Sequence, residues 1–263
     1  MSETAWRLSI FAGALILFSC LEALFPRRRR SLPRQGRWIT HLGITVIDSL
    51  VVRLLGPLTA MVTAVWAGRQ GIGLFNLTDW PLWVEVLAAF VLLDFAIYLQ
   101  HVISHRVPLF WRFHKVHHTD RDLDASSAVR FHPIEILLSM LYKCGVVLLI
   151  GPAALAVLIF EIVLNASAIF NHANLKLPLW LDKTLRLIIV TPDMHRVHHS
   201  VIESETNRNF GFNFSIWDKL CGTYKAQPEA GHDGMVIGLS EHQNLAPSKL
   251  LWSLKLPFAK SPK

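Results

Sequence analysis

The sequence predicts an all-α, polytopic membrane protein with about three transmembrane helices plus a helical hairpin, carrying a histidine-rich helical cap on the cytoplasmic side. Three observations predict it. Of 263 residues, 52% are hydrophobic and 17% charged, and the mean hydropathy is +0.38. The apolar residues fall in long runs, which excludes a disordered chain and argues against a soluble globule. Ten of the 13 histidines lie between 101 and 199, and they recur at helical spacings.

The first run, Trp6 to Phe25, has the length of a bilayer crossing. Its arginines follow it rather than precede it, so it reads as an uncleaved helix with its N-terminus outside and not as a signal peptide. The second run, Trp38 to Ala67, is interrupted by Asp48, Arg53 and Gly56-Pro57. It is expected to return to the outside, kinked at the proline. The third, Trp80 to Gln100, leads back to the cytoplasm. Ile134 to Phe170 would make a single helix about 55 Å long at 1.5 Å per residue, too long for one crossing. Gly151-Pro152 near its middle predicts a hairpin. Both hairpin ends then lie on the cytoplasmic side, with every histidine cluster. Leu179 to Val190 reads as an amphipathic interfacial helix. Residues 200–263 read as a soluble tail. The expected divisions are 1–91 for N-terminal membrane helices, 92–226 for the region that carries the histidine clusters and 227–263 for a polar C-terminal tail.

The formal charge is +7, from 26 basic and 19 acidic residues. Six arginines, Arg27, Arg28, Arg29, Arg30, Arg34 and Arg37, supply almost all of it, since the remainder balances at 20 against 19. A basic loop beside an apolar run is the signal of a cytoplasmic link. A nucleic-acid site would spread its basic residues over a face, among stacking aromatics. Nucleic acid is therefore excluded as a partner. Cys20, Cys144 and Cys221 are too few and too far apart for a disulfide framework or a cysteine metal finger.

His101 and His105 form H-x-x-x-H. His114, His117 and His118 form H-x-x-H-H, and His195, His198 and His199 repeat it. Residues i, i+3 and i+4 share a helix face, so each triplet is expected to aim its imidazoles at one point. Burying so many cationic rings together is severely unfavourable, whereas metal binding needs each ring neutral. A tetrahedral zinc site uses four ligands. Eight to ten imidazoles suit two metals of higher coordination. The Glu-x-x-His pattern of ferritin-like di-iron sites and the H-E-x-x-H of zincins are both absent. His41, His232 and His242 stand apart and are read as ordinary residues.

These motifs resemble the fatty acid hydroxylase superfamily, also called the sterol desaturase family, of membrane non-haem di-iron oxygenases. The resemblance spans about Leu92 to Tyr224. It rests on His101-Val-Ile-Ser-His105, Trp111-Arg-Phe-His-Lys-Val-His-His118 and Thr191-Pro-Asp-Met-His-Arg-Val-His-His-Ser200. Asn209-Phe-Gly211 and Trp217-Asp-Lys-Leu-Cys-Gly-Thr-Tyr224 match its C-terminal signature. The resemblance implies that the eight box histidines ligate two iron ions. His132 of Phe131-His132-Pro133 and His172 of Asn171-His172-Ala173-Asn174 sit where members supply further ligands. No catalytic residue separate from the metal ligands is implied. The acidic stretch Asp120 to Asp124 matches no role.

The resemblance further implies a reaction with O2 and two electrons at an unactivated C–H bond of a lipid, by hydroxylation or desaturation. The lipid could be fatty acyl, sterol-like or an ether lipid. No flavin, nicotinamide or haem module is present, so a separate reductase system must supply electrons. Zinc can substitute for iron in purified samples. The membrane would be the bacterial inner membrane, or the endoplasmic reticulum of a eukaryote. Metal-bound histidines give their other proton to a carboxylate or carbonyl. Asp94, Glu135 and Asp193 are nominated for that role, with Asn174, although Asp193 could instead cap the helix of the third box. Glu161 and Asp48 have no partner identifiable from sequence. Phe110, Trp111, Phe113 and Phe131 line the lipid path or anchor at the interface. The competing classes are a histidine-based metal transporter or sensor, which should place ligands near the bilayer midplane, and a redox-dead relative that keeps zinc.

Overall fold

A computed structural model describes residues 3–56 and 58–259. It is helical throughout, with isolated bridges but no strand among the described residues. The main helices are α1 (Glu3–Leu24), α2 (Arg34–Leu54), α3 (Ala60–Gln70), α4 (Leu82–Arg106), α5 (Pro108–His118), α6 (Pro133–Ile150), α7 (Ala154–His172), α8 (Leu179–Leu185) and α9 (Pro192–His198). Four of them, α1, α4, α6 and α7, are long and apolar enough to cross a membrane. The chain is a multi-pass membrane protein.

The second apolar run differs from expectation. It forms two helices, α2 and α3, and neither has the length and composition of a crossing. The reason lies in α2, which buries Arg37, His41 and Asp48 on one side and exposes Val46, Leu50 and Leu54 on the other. The break follows Leu55 and Gly56; Pro57 itself, the expected kink, lies outside the described residues. Together the two pieces run the length of the bundle. Arg37 packs at the histidine end, and Gly73, just beyond α3, meets the α6–α7 turn.

That turn falls at Gly151, as the hairpin required. Gly151 has φ +60, and a Cβ there would lie 2.4 Å from the Ile72 carbonyl. A Cβ on Gly73 would lie 2.3 Å from the Gly151 nitrogen. Two glycines thus let the loops cross, and Asn76 pins them by donating to the carbonyls of Ile72 and Gly151. The core beneath is built from small residues, Ala60, Ala64, Ala89, Ala156 and Val157, around Leu93 and Phe160. Small side chains allow helices to approach closely where lipid supplies no hydrophobic drive.

At the opposite end, Pro108 begins α5 and the chain folds back beside α4. Residues 200–259 are not a detached tail. The Gly238 nitrogen donates to His199 O, Val201 pairs with Val236, and the short helix Leu250–Lys255 packs on α2. The interfacial helix is shorter than expected, only α8, but Leu179 and Trp180, with Leu187 and Ile188 beyond it, are largely exposed.

The arginine-rich segment is not a free loop either. Arg37 is 1% exposed. It donates to Asp120 through Nε and Nη2 and to Asp124 through Nη1, each at 2.7 Å, and also reaches the Asp122 carbonyl. Arg30 and Arg34 pair with the fully buried Glu22, whose other oxygen accepts from the backbone of Ala125 and Asn174. The acidic stretch that matched no role is therefore half of a buried ionic scaffold. It ties α1 and α2 to the loop after α5.

Candidate metal centre

Four histidine-bearing helices, α4, α5, α7 and α9, meet at one end of the bundle. Nine imidazoles there form two adjacent groups, His101, His105, His114, His118 and His198 in one, and His117, His172, His195 and His199 in the other. Within each group the ligand atoms lie within 4.8 Å of one another. The triplets do not each aim at one point. Each is shared between the groups: the i, i+4 pairs His114/His118 and His195/His199 stay together, while His117 and His198 cross over. This sharing makes the groups neighbours, with the His118 and His199 rings stacked at 4.6 Å.

The nitrogens face one another. In the first group His118 Nε2 lies 3.1 Å from His105 Nε2 and 3.2 Å from His114 Nε2. In the second, His172 Nε2 lies 3.0 Å from His117 Nε2 and 3.1 Å from His195 Nε2, which is 3.3 Å from His199 Nε2. Metal–nitrogen bonds of about 2.1 Å meeting at 90–109° separate adjacent nitrogens by roughly 3.0–3.4 Å. The donor set therefore fits a metal in each group.

Ligation requires neutral rings. Burial, reinforced by neighbouring histidines, holds His117, His118, His195 and His199 well below the ordinary imidazole range, and His198 falls to about 3, chiefly from burial. Several Nδ1–H groups are given fixed acceptors. His101 donates to the Phe210 carbonyl at 2.8 Å, His198 to Arg208 at 2.8 Å and His172 to Ala168 at 2.7 Å. His114 Nδ1 meets Glu135 Oε1 at 2.5 Å. Each such bond leaves Nε2 with its lone pair toward the group. His101 Nε2 and His198 Nε2 have no protein partner.

His132 is brought elsewhere. Its Nδ1 accepts from Ile134 N to cap α6, its Nε2 lies 3.2 Å from the Leu254 carbonyl, and its ring packs on Phe113. Both nitrogens are engaged outside the two groups. His132→Asn, which keeps a helix-capping oxygen, is expected to retain metal content within about 10% of wild type, read by elemental analysis.

Of the nominated proton acceptors, only Glu135 touches a grouped histidine, His114. Glu135→Gln is expected to weaken metal binding about 10- to 100-fold, measured by competition with a chelator. Asp94 instead accepts from Asn213 N and Nδ2, Phe214 N and Trp217 Nε1. It anchors the segment that presents the Phe210 carbonyl to His101. Asp193 pairs with Arg196 and Arg27, and Thr191 rather than Asp193 caps α9. Asn174 exchanges hydrogen bonds with the Arg28 backbone. Of the aromatics, Phe131 stacks on His117 at 4.3 Å and Trp111 lies against His105. His41 bonds Ser126, outside both groups.

Sequence reasoning missed Arg37, Glu22 and the carbonyls of Arg208 and Phe210. Phe210 sits in the C-terminal signature and Arg208 just before it, and the chemistry of the signature is structural. Asp218 accepts from Phe210 N and Gly211 N, both at 2.8 Å. Asn209, at φ 55, donates to Met194 O and Lys225 O.

A cavity of about 610 Å³ opens beside the first group, lined by His101, His114, Phe131 and Phe212. That is the size of a site for one small amphiphile or lipid chain.

The sequence model of the fatty acid hydroxylase family matches residues 86–223. An ornithine lipid hydroxylase of Rhizobium tropici is 26% identical over 228 residues, 85% of this chain and 68% of that protein. Human alkylglycerol monooxygenase is 31% identical over 65% of this chain, which spans only 36% of that protein. Rat cholesterol 25-hydroxylase is 30% identical over 84% of this chain and 75% of its own length. No solved structure matches. With more than half its length matched, and with both histidine groups inside or beside the match, the chain belongs to the fatty acid hydroxylase family.

Proposed function

We propose that the protein is a membrane-bound non-haem di-iron oxygenase that hydroxylates an unactivated C–H position of a lipid, using O2 and two external electrons. The observation that carries this reading is the pair of adjacent, largely buried, all-imidazole groups beside a cavity of about 610 Å³. The named relatives act on lipids, which supports the substrate class. His101, His105, His114, His118 and His198 would hold one iron, and His117, His172, His195 and His199 the other. Two irons supply redox chemistry with O2 that zinc cannot.

The chain's own residues do the rest. Glu135 holds His114 in the tautomer that leaves Nε2 free, and the carbonyls of Phe210 and Arg208 do the same for His101 and His198. Only His101 and His114 of the nine line the large cavity, so a substrate chain would approach the five-histidine group. Phe131, Ile97, Ala128 and Phe212 give that approach an apolar wall that limits water. Electrons would come from a separate reductase. We place the histidine end in the cytoplasm because the arginine-rich link joins α1 to α2 there.

The test is lipid mass spectrometry of cells with and without the protein. The proposal expects a lipid that gains one oxygen atom. A lipid that loses two hydrogens would mean desaturation, and no change under aerobic, iron-replete expression would contradict the reading.

A further inference from the structure

Every buried carboxylate among the described residues has a protein partner except one. Glu22, Asp94, Asp120, Asp122, Asp124, Glu161, Asp182, Glu205 and Asp218 all accept hydrogen bonds or form ion pairs. Asp48 is only 8% exposed, and its Oδ1 has no partner. An unpaired carboxyl in an apolar bundle is costly, and such groups are kept for function.

Asp48 lines the 610 Å³ cavity together with His101 and His114. Its neighbours cannot satisfy it. Thr45, about one turn before it, and Ser49, the next residue, donate back to their own helix at His41 O and Thr45 O. The cations Arg7 and Lys143, on the cavity's other wall, are both taken by Glu161, at 2.8 and 2.7 Å. No ion pair joins Asp48 to Arg53, which also lines the cavity. Glu135, close enough to feel its charge, is an acceptor as well. No lining residue among those described donates to Asp48, so its carboxyl faces the cavity without a protein donor. The cavity's volume of about 610 Å³ is that of a site for one small amphiphile or lipid chain.

We propose that Asp48 is a specificity-determining residue, whose carboxyl accepts a hydrogen bond from a hydroxyl or ammonium donor on the head of a single-chain amphiphile in this cavity. The inference rests on the lipid-oxygenase reading for what happens to the chain, but not for binding. Asp48 fixes how deep the head sits, and so which carbon of the chain lies beside His101 and His114. A substrate without a donor leaves the carboxyl unpaired and is rejected, the asymmetry expected of buried polar groups.

The test uses the full-length, metal-loaded protein in nanodiscs, with dodecanol, dodecylamine and dodecyl methyl ether as probes in equilibrium binding. It is run above the pH of about 8 to which burial raises the Asp48 carboxyl, so that the group is ionised and can only accept. Wild type is expected to prefer the alcohol or the amine to the ether by about tenfold or more. In Asp48→Leu the ratio should collapse to near one. Asp48→Asn keeps an acceptor without charge; it should retain most of an alcohol preference and lose most of an amine preference, which tells the two donors apart. No preference in wild type, or an unchanged preference in both variants, overturns the proposal. Oxygen insertion is followed on the same preparations. Oxygenation without donor preference sinks the subsite alone, and donor preference without oxygenation sinks the oxygenase reading alone.

Discussion

His118→Ala is expected to abolish metal binding in the five-histidine group and to reduce oxygenation by more than the 10- to 100-fold that loss of an outer partner costs. His118 is the hub of that group. Its Nε2 faces both His105 and His114, and its ring lies 4.6 Å from His199 of the other group. Removing it takes one ligand away and parts the two positions. The fold should survive, because His118 is the last residue of α5 and its ring makes no bond to the ionic scaffold. Elemental analysis and the oxygenated lipid product, read on one preparation, check this. Full metal content with normal product in His118→Ala would overturn the ligand assignment.

Arg37→Met is expected to destabilise the protein by about 3–5 kcal/mol, because it leaves Asp120 and Asp124 buried and uncompensated. Burial alone would raise both carboxyls. Arg37, with help from His41, instead holds them below the ordinary carboxylate range. Carboxyls depressed in the folded state stabilise fully above their ordinary range, and the contribution is lost as pH falls through the depressed values. Arg37→Met should therefore lose most stability near neutral pH and differ least from wild type in strong acid. Thermal unfolding in nanodiscs across pH measures this. A companion Arg37→Met/Asp120→Asn/Asp124→Asn variant should recover part of the loss.

The histidine spacing carried most of the site into view from sequence. Helical periodicity alone brings His101 to His105 and His114 to His118, and the family motif supplied His172. Periodicity could not say that His117 and His198 cross to the neighbouring group, because that depends on how α5 and α9 pack face to face. His132 shows the limit of motif position. His-Pro before an apolar run is also a helix start, and the imidazole caps α6. The hairpin was legible because Gly151 punctuates a run too long for one crossing. The failure of the second run was legible only in part. Arg37 and Asp48 mark α2 as partly polar, but the partners of Arg37 lie more than 80 residues away at Asp120 and Asp124. Distance hid only part of the setting of Glu22: Arg30 and Arg34 are 8 and 12 residues away, but its backbone donors Ala125 and Asn174 are 103 and 152 away.

Iron K-edge X-ray absorption, combined with metal counting on protein expressed with iron, tests the central claim most directly. The account predicts two irons per chain, one for each histidine group, with a nearest shell dominated by imidazole nitrogen. A single iron, or a shell dominated by sulfur or by carboxylate oxygen, would contradict it.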